Sequence, residues 1–267
     1  MRIEIIGLPG VGKTTLAKAV CSDKRLLRKK SWLLMDEDDV LFDWYKLLGN
    51  TGNPMALNSL IHLSSLPFIG KELKLKMIRK IRTCLYDQMN ELNDHFNPCS
   101  DFFIQALSSS EEGTPLHKVH GIWEVERAII VSRIAEQFFR NKFVLLDEGP
   151  GVRVNTLARF NVSIKRIKQY CEVIPEPDGY IIVNLEDVAE QNQRLTERGD
   201  NDAFRSYLNT HTERMQAGLD CLIDIIHKKN IPFINVDAQD SIKTNARIVK
   251  QFTQKLLSNK DNNLDLA

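Results

Sequence analysis

The segment at residues 7–14, GLPGVGKT, constrains the fold of this chain more than any other, because it matches the pattern G-x-x-x-x-G-K-[ST]. Gly7 and Gly12 allow the backbone to turn tightly around a phosphate without Cβ clashes. The amides that follow point inward at the start of a helix, whose dipole favours an anion. Lys13 can reach the β- and γ-phosphates of ATP, and the Thr14 hydroxyl is placed to ligate Mg²⁺.

The segment therefore predicts a phosphate cradle for ATP, with Lys13 as a catalytic residue. A short apolar strand pattern precedes it and a helical pattern follows it, which is the context that such a loop needs. The residues predicted to bind the nucleotide are Gly7, Pro9, Gly10, Val11, Gly12, Lys13, Thr14 and Thr15.

Short apolar runs alternate with helical patterns along the chain. Helices are predicted from about residue 13 to 21, 185 to 199, 204 to 226 and 242 to 257. This alternation predicts an α/β chain of the P-loop NTPase fold, with a five-stranded parallel sheet and helices on both of its faces. The strands are predicted at residues 3–6, 32–35, 143–146, 180–184 and 231–236.

Residues from about 40 to 140 carry no convincing strand pattern. Apolar residues recur there every three or four positions, which predicts helices. We interpret this stretch as a helical elaboration of a single domain that spans residues 1–267.

The balance of 36 basic and 35 acidic residues argues against a nucleic-acid-binding tail and against a long polyanionic acceptor. The five cysteines are not at metal-ligand spacing, and the N-terminal residues carry charges where a secretory signal would be apolar. No apolar run reaches the roughly 18 residues of a membrane span. These features predict a cytoplasmic protein with no membrane partner.

An acidic residue, Asp147, follows the predicted strand at residues 143–146. A carboxylate in this position commonly binds Mg²⁺ in phosphate-binding-loop proteins, directly or through water. Thr14 and Asp147 are therefore the predicted metal ligands, with a helix N-cap or turn as the alternative role of Asp147.

The residues at 177–186, PDGYIIVNLE, and at 194–199, RLTERG, resemble the thymidylate kinase family of nucleoside and nucleotide kinases. In that family a Pro-Asp turn enters the fourth strand, and R-x-x-x-R-G continues into a mobile lid. The resemblance implies a lid at about residues 194–203 and a homodimer as one assembly. It also places residues 147–149 at the family's D-R-x position, where Glu148 replaces the arginine. Glu148 and Arg153 are thus candidate substrate-binding residues, with Arg153 able to substitute for the missing arginine.

The lid is also expected from the residues themselves. Arg194 and Arg198 are four positions apart on one predicted helix face, close to Gly199. Phosphoryl transfer needs cations near the transferring oxygens, and guanidinium groups suit that role. We therefore predict both arginines to be catalytic, with a solvated pair on an amphipathic helix as the alternative.

An acidic run at residues 36–39 follows the second predicted strand. Ligands of doubly wound sheets bind at the carboxyl ends of the strands. The resemblance implies that an acid after the second strand contacts the acceptor or accepts its hydroxyl proton, and we predict Asp36 in that role because it is closest to the strand end. A solvated helix start is the alternative, because a helix dipole favours acids there.

Together these features predict an ATP- and Mg²⁺-dependent kinase for a small acceptor, foremost a nucleoside or nucleoside monophosphate. A sugar, another metabolite or a nucleic-acid end are alternative acceptors. A nucleotide-dependent switch or a regulatory ATP-binding module is the alternative outside enzymology. The guanine-reading motif N-K-x-D of a GTPase switch is absent from the sequence.

Overall fold

The computed structural model describes residues 1–22, 34–35, 40, 97–139, 143–197 and 202–264. The described strands are β1 (Arg2–Ile6), β2 (Leu34–Met35), β3 (Phe143–Leu146), β4 (Gly179–Asn184) and β5 (Phe233–Asp237). They form one parallel sheet in the order β2-β3-β1-β4-β5.

The prediction of a parallel α/β sheet is confirmed, and the second predicted strand is much shorter than the other four. Four strands have four to six residues each, whereas β2 has two. Of the predicted second strand at 32–35, residues 32 and 33 lie outside the described part of the chain. β2 pairs only with β3, at one edge of the sheet.

The central strand β1 is buried along its whole length, because β3 and β4 flank it and helices cover both of its faces. A strand covered on both faces favours a continuous apolar run over an alternating pattern. The register pairs Ile3 with both Leu145 and Gly179. Arg2 and Glu4 interrupt the apolar run of this strand with buried charges.

The helices in the described residues are α1 (Lys13–Ser22), α2 (Asn97–Ser108), α3 (Pro115–Phe138), α4 (Val154–Arg159), α5 (Ile164–Val173), α6 (Val188–Glu197), α7 (Asp202–Lys228) and α8 (Ile242–Leu264). α1, α6, α7 and α8 lie close to their predicted positions, whereas α4 and α5 were not predicted. α1 packs against α8, and α7 packs against α4 and α5. A 3₁₀ turn at Pro150–Arg153 connects β3 to α4.

The predicted helical elaboration at 40–140 is described only in part. Within residues 97–139 it consists of α2 and α3, which pack against each other. The remainder of that prediction, apart from Val40, lies outside the described residues. No helix in the described ranges is both long and apolar enough to cross a membrane.

Two of the cysteines are deeply buried free thiols, Cys99 on α2 and Cys171 on α5. Burial raises the pKa of each to about 12. A thiol with such a pKa forms almost no nucleophilic thiolate at neutral pH. The thiols of Cys21 and Cys221 form no disulfide with another described residue and are partly exposed.

We expect Cys99 and Cys171 to resist an alkylating reagent at pH 7.5 in the native protein and to react once the protein is unfolded in guanidinium. Peptide mass spectrometry after a timed pulse of iodoacetamide measures each thiol separately. Cys21 and Cys221 serve as internal controls that should react first. Native labelling of Cys171 as fast as that of Cys221 would contradict the packing of α5 against α7.

Candidate active site

The loop between β1 and α1 has a backbone that only glycine can supply at its key positions. Gly7 and Gly10 have φ angles of 149° and 83°, in a region that L side chains rarely adopt. A Cβ on Gly7 would lie 2.5 Å from the Val183 carbonyl oxygen of β4. The loop therefore sits directly on the end of β4, and the sequence-predicted phosphate cradle has the local geometry that its pattern requires.

Lys13 opens α1 and is buried, with 8% of its surface exposed. Its Nζ donates hydrogen bonds to the carbonyl oxygens of Gly7 at 3.0 Å and Leu8 at 2.9 Å. The ammonium group thus lies across the mouth of the loop. Thr14 and Thr15 follow on exposed positions and line the adjoining cavity.

Helix α6 packs against the same loop. Gln191 donates to the Pro9 carbonyl oxygen at 2.6 Å. A Cβ on Gly10 would lie 2.9 Å from Leu195 Cγ, so these two residues are in close contact. The predicted lid helix is therefore packed against the phosphate cradle in this structure.

Arg194 bridges two loops that the sequence alone does not connect. Its Nη1 donates to the Val11 carbonyl oxygen at 3.2 Å, and its Nη2 donates to the Ala238 carbonyl oxygen at 2.8 Å. Glu190, one turn earlier on α6, forms an ion pair with the same guanidinium. Arg194 thus joins the cradle to the segment that follows β5. Its predicted partner Arg198 lies outside the described residues, as do the other lid residues from 199 to 201.

The opposite side of the cavity carries two carboxylates and two guanidinium groups, which we call the ionic network. Arg153 Nη2 contacts Glu148 Oε2 at 2.8 Å and its carbonyl oxygen at 3.1 Å. Arg153 Nη1 lies 3.5 Å from Glu124 Oε2, and Arg159 Nη2 lies 4.0 Å from the same oxygen. Arg153 is the most buried of the four side chains, at 7% exposure.

The sequence analysis identified Glu148 and Arg153 but missed Glu124 and Arg159. Glu124 comes from the middle of α3 and Arg159 from the end of α4. Neither residue belongs to a local motif, so only the packing of the helices brings them to the cavity. The network as a whole had no signal in the sequence.

Asn155 was also missed, although it touches the cradle directly. Its Nδ2 donates to the Gly7 carbonyl oxygen at 3.1 Å, and 7% of the residue is exposed. Its Oδ1 is buried and has no hydrogen-bond partner among the described residues. Because Asn155 lies on α4, it connects the cradle to the helix that carries Arg159.

The predicted metal ligands are only partly brought together. Thr14 lines the cavity, whereas Asp147 follows β3 in a half-buried position and is not among the residues that line it. Asp36, the predicted acceptor residue, lies outside the described residues. The metal site and the role of Asp36 therefore stay predictions.

One cavity of about 790 Å³ joins these parts. The phosphate cradle forms one wall, α6 and the segment after β5 form a second, and the ionic network forms a third. Volumes of 300–1,000 Å³ are typical of small-molecule sites. The cavity can therefore hold a nucleotide on the cradle together with a second small molecule beside the network.

No family model and no curated protein matches this chain. The fold search matched solved structures of kinases. A deoxyadenosine kinase from M. mycoides with bound dCTP has 13% identity and a TM-score of 0.44, over 96% of this chain and 100% of that one. The same enzyme with bound dATP has 13% identity, a TM-score of 0.43 and coverage of 95% and 100%. EHV4-TK complexed with TP4A has 10% identity, a TM-score of 0.37 and coverage of 94% and 89%. Such values do not bear on the activity of this chain.

We expect replacement of Arg194 by methionine to weaken ATP binding about tenfold, because two backbone carbonyls lose a charged donor that is worth roughly 1.5 kcal/mol. Isothermal titration calorimetry with a non-hydrolysable ATP analogue measures the change. Gln193→Met is the matched control, since Gln193 lies on the exposed side of the same helix and donates a hydrogen bond to Glu197. Equal affinity in the two variants would show that Arg194 does not organise the cradle.

Proposed function

We propose that this protein is an ATP-dependent kinase that transfers the γ-phosphoryl group to a hydroxyl of a small uncharged acceptor of the nucleoside class. The observation that carries the proposal is the shared cavity, which has the phosphate cradle on one wall and the ionic network on another. A nucleotide bound on the cradle would direct its terminal phosphate toward the space beside that network.

The donor half of the proposal rests on the cradle. Backbone amides at the start of α1 and the Lys13 ammonium group supply the positive field that triphosphate oxygens need. Lys13 would leave its two carbonyl partners and turn to the β- and γ-phosphates. The segment after β5 and Arg194 border the cavity on the side away from the ionic network, where the nucleoside part of ATP would fit.

The residues at the cradle suit Mg²⁺ in their chemistry, since Thr14 offers an exposed hydroxyl and Asp147 a carboxylate, the oxygen ligands that this ion prefers. When bound, the ion neutralises charge on the phosphate oxygens. Lys13 and the loop amides hold the triphosphate in line with the attacking hydroxyl. Asp36 is the proposed acceptor of the hydroxyl proton, and Arg198 the proposed second cation of the lid.

The acceptor half rests on the ionic network. Its two guanidinium groups, Arg153 and Arg159, are balanced by the carboxylates of Glu124 and Glu148. A network of this kind presents hydrogen-bond donors and acceptors without net charge, which suits a base or a polyhydroxyl group. A monophosphate would have to displace these carboxylates from Arg153 and Arg159 before it could bind either guanidinium group. The charge balance therefore favours a nucleoside over thymidylate, the acceptor that the sequence resemblance implies.

We expect ADP release that depends on a nucleoside when purified protein, ATP and Mg²⁺ are screened against nucleosides, nucleoside monophosphates, sugars and oligonucleotide ends. Lys13→Ala should abolish it while leaving the fold intact, because the lysine stabilises charge on the β- and γ-phosphates. Coupled ADP detection measures turnover, and circular dichroism controls for folding. Turnover of Lys13→Ala equal to that of the unmodified protein would refute the proposal. Acceptor-independent ATP hydrolysis would identify an NTPase instead.

We expect Glu124→Gln to raise the KM for the nucleoside about tenfold and to leave the KM for ATP unchanged, since one charged hydrogen bond of roughly 1.5 kcal/mol is removed on the acceptor side only. The same change leaves a cationic excess in the network and should improve activity toward a monophosphate relative to the nucleoside. Glu126→Gln on the same helix is the control, because Glu126 lines a different cavity. Equal KM values for the nucleoside in the two variants would show that the ionic network does not bind the acceptor.

A further inference from the structure

Two residues of the central strand β1, Arg2 and Glu4, form a charged pair that is buried in the core. Glu4 has no exposed surface, and Arg2 is 2% exposed. Burial raises the pKa of the Glu4 carboxyl, and the Arg2 guanidinium and the Gly151 amide oppose that change. Replacement of a buried ion pair by apolar residues of similar volume is often neutral or stabilising. Stability alone therefore gives a weak reason for this pair.

Both oxygens of the Glu4 carboxylate have partners, and the two partners differ in kind. Oε1 accepts a hydrogen bond from Arg2 Nη1 at 3.0 Å. Oε2 accepts one from the backbone amide of Gly151 at 2.8 Å. The first partner belongs to the same strand, while the second belongs to the 3₁₀ turn at Pro150–Arg153. Glu4 thus joins the middle of the sheet to the segment that follows β3.

Arg2 in turn is anchored on both sides of the strand. Its Nη2 donates to the Pro175 carbonyl oxygen at 2.8 Å and lies 3.1 Å from Glu136 Oε1 on α3. The guanidinium is therefore fixed by elements outside the turn. Its Nη1 donates to Glu4 Oε1, which orients the carboxylate so that Oε2 can accept from the Gly151 amide.

The turn is shaped around this carboxylate. A Cβ on Gly149 would lie 2.6 Å from Glu4 Cδ, and one on Gly151 would lie 3.0 Å from Glu4 Oε2. Gly149 has φ −70° and ψ 177°, a conformation that any residue adopts. The backbone therefore does not require glycine at position 149, whereas the room taken by Glu4 does. Tyr170 holds the same turn from the other side, with its hydroxyl donating to the Pro150 carbonyl oxygen at 2.9 Å.

We propose that Glu4 is a positioning residue, whose buried carboxylate holds the segment at 148–153 so that Glu148 and Arg153 meet at the acceptor wall of the cavity. The inference rests on the proposed function for its consequence, since it assigns acceptor binding to this wall. Its structural part, the hold of Glu4 on the Gly151 amide, is independent of the reaction. Glu4 lines no part of the cavity and acts only through the turn.

The decisive variant is the double change Arg2→Met/Glu4→Met, which removes both charges and keeps similar side-chain volume. We expect the double variant to remain folded, because apolar side chains replace the pair. The Gly151 amide loses its acceptor, and we expect its hydrogen exchange to accelerate at least tenfold. The KM for the acceptor should rise about tenfold, while the affinity for ATP stays unchanged, since one charge-assisted hydrogen bond is lost.

Two single variants complement the double variant, one that disturbs the contact between Glu4 and the turn and one that leaves it intact. Gly149→Ala introduces a methyl group against Glu4 and should raise the acceptor KM in the same way. Glu136→Gln removes the other carboxylate partner of Arg2 but leaves the bond from Gly151 to Glu4, and it should leave the acceptor KM unchanged. Hydrogen exchange by mass spectrometry on the peptide that covers residues 143–160 follows the turn in each variant.

The outcomes separate the two proposals. A stable double variant with unaltered acceptor KM and unaltered exchange at Gly151 would overturn the positioning role, because the pair would then be a structural element only. If no variant and no unmodified protein phosphorylates any acceptor, the proposed function fails. In that case accelerated exchange at Gly151 in the double variant still supports the hold of Glu4 on the turn, and unchanged exchange overturns it.

Discussion

The site is organised by the irregular loop of the phosphate cradle, whose backbone carbonyl oxygens need hydrogen-bond donors. Buried backbone carbonyls are rarely left unpaired. Four carbonyl oxygens of the phosphate cradle accept hydrogen bonds from side chains. The carbonyls of Gly7 and Leu8 accept from Lys13, and Gly7 also accepts from Asn155. Those of Pro9 and Val11 accept from Gln191 and Arg194.

These donors come from three different helices, and each helix also borders the cavity. α1 contributes Lys13, α4 contributes Asn155, and α6 contributes Gln191 and Arg194. Because α4 carries both Asn155 and Arg159, this helix connects the phosphate cradle to the ionic network. If Lys13 turns to a triphosphate as the proposed function requires, Gly7 keeps its bond from Asn155. The second donor lowers the cost of releasing the lysine, because an unpaired buried carbonyl costs about 1–3 kcal/mol.

The parts of the fold that local patterns determine were predictable, and the parts that depend on packing were not. The cradle was predicted because its glycine spacing is itself a backbone geometry. The order of strands and helices followed from hydrophobic periodicity. Glu124 and Arg159 were not predictable, since their helices have no motif and meet only in the tertiary structure. Arg194 was identified as a lid residue, but its bonds to the Val11 and Ala238 carbonyl oxygens depend on the docking of α6.

The segment after β3 links the cavity to the buried centre of the sheet. Arg153 turns back toward Glu148 and bonds both its carbonyl oxygen and its carboxylate. Such a reversal needs a tight turn between the two residues, and the 3₁₀ turn at Pro150–Arg153 provides it. The inner amide of this turn, at Gly151, donates to the carboxylate of Glu4, which is buried in β1. A carboxylate in the central strand and a guanidinium group at the cavity are thus connected through a single turn.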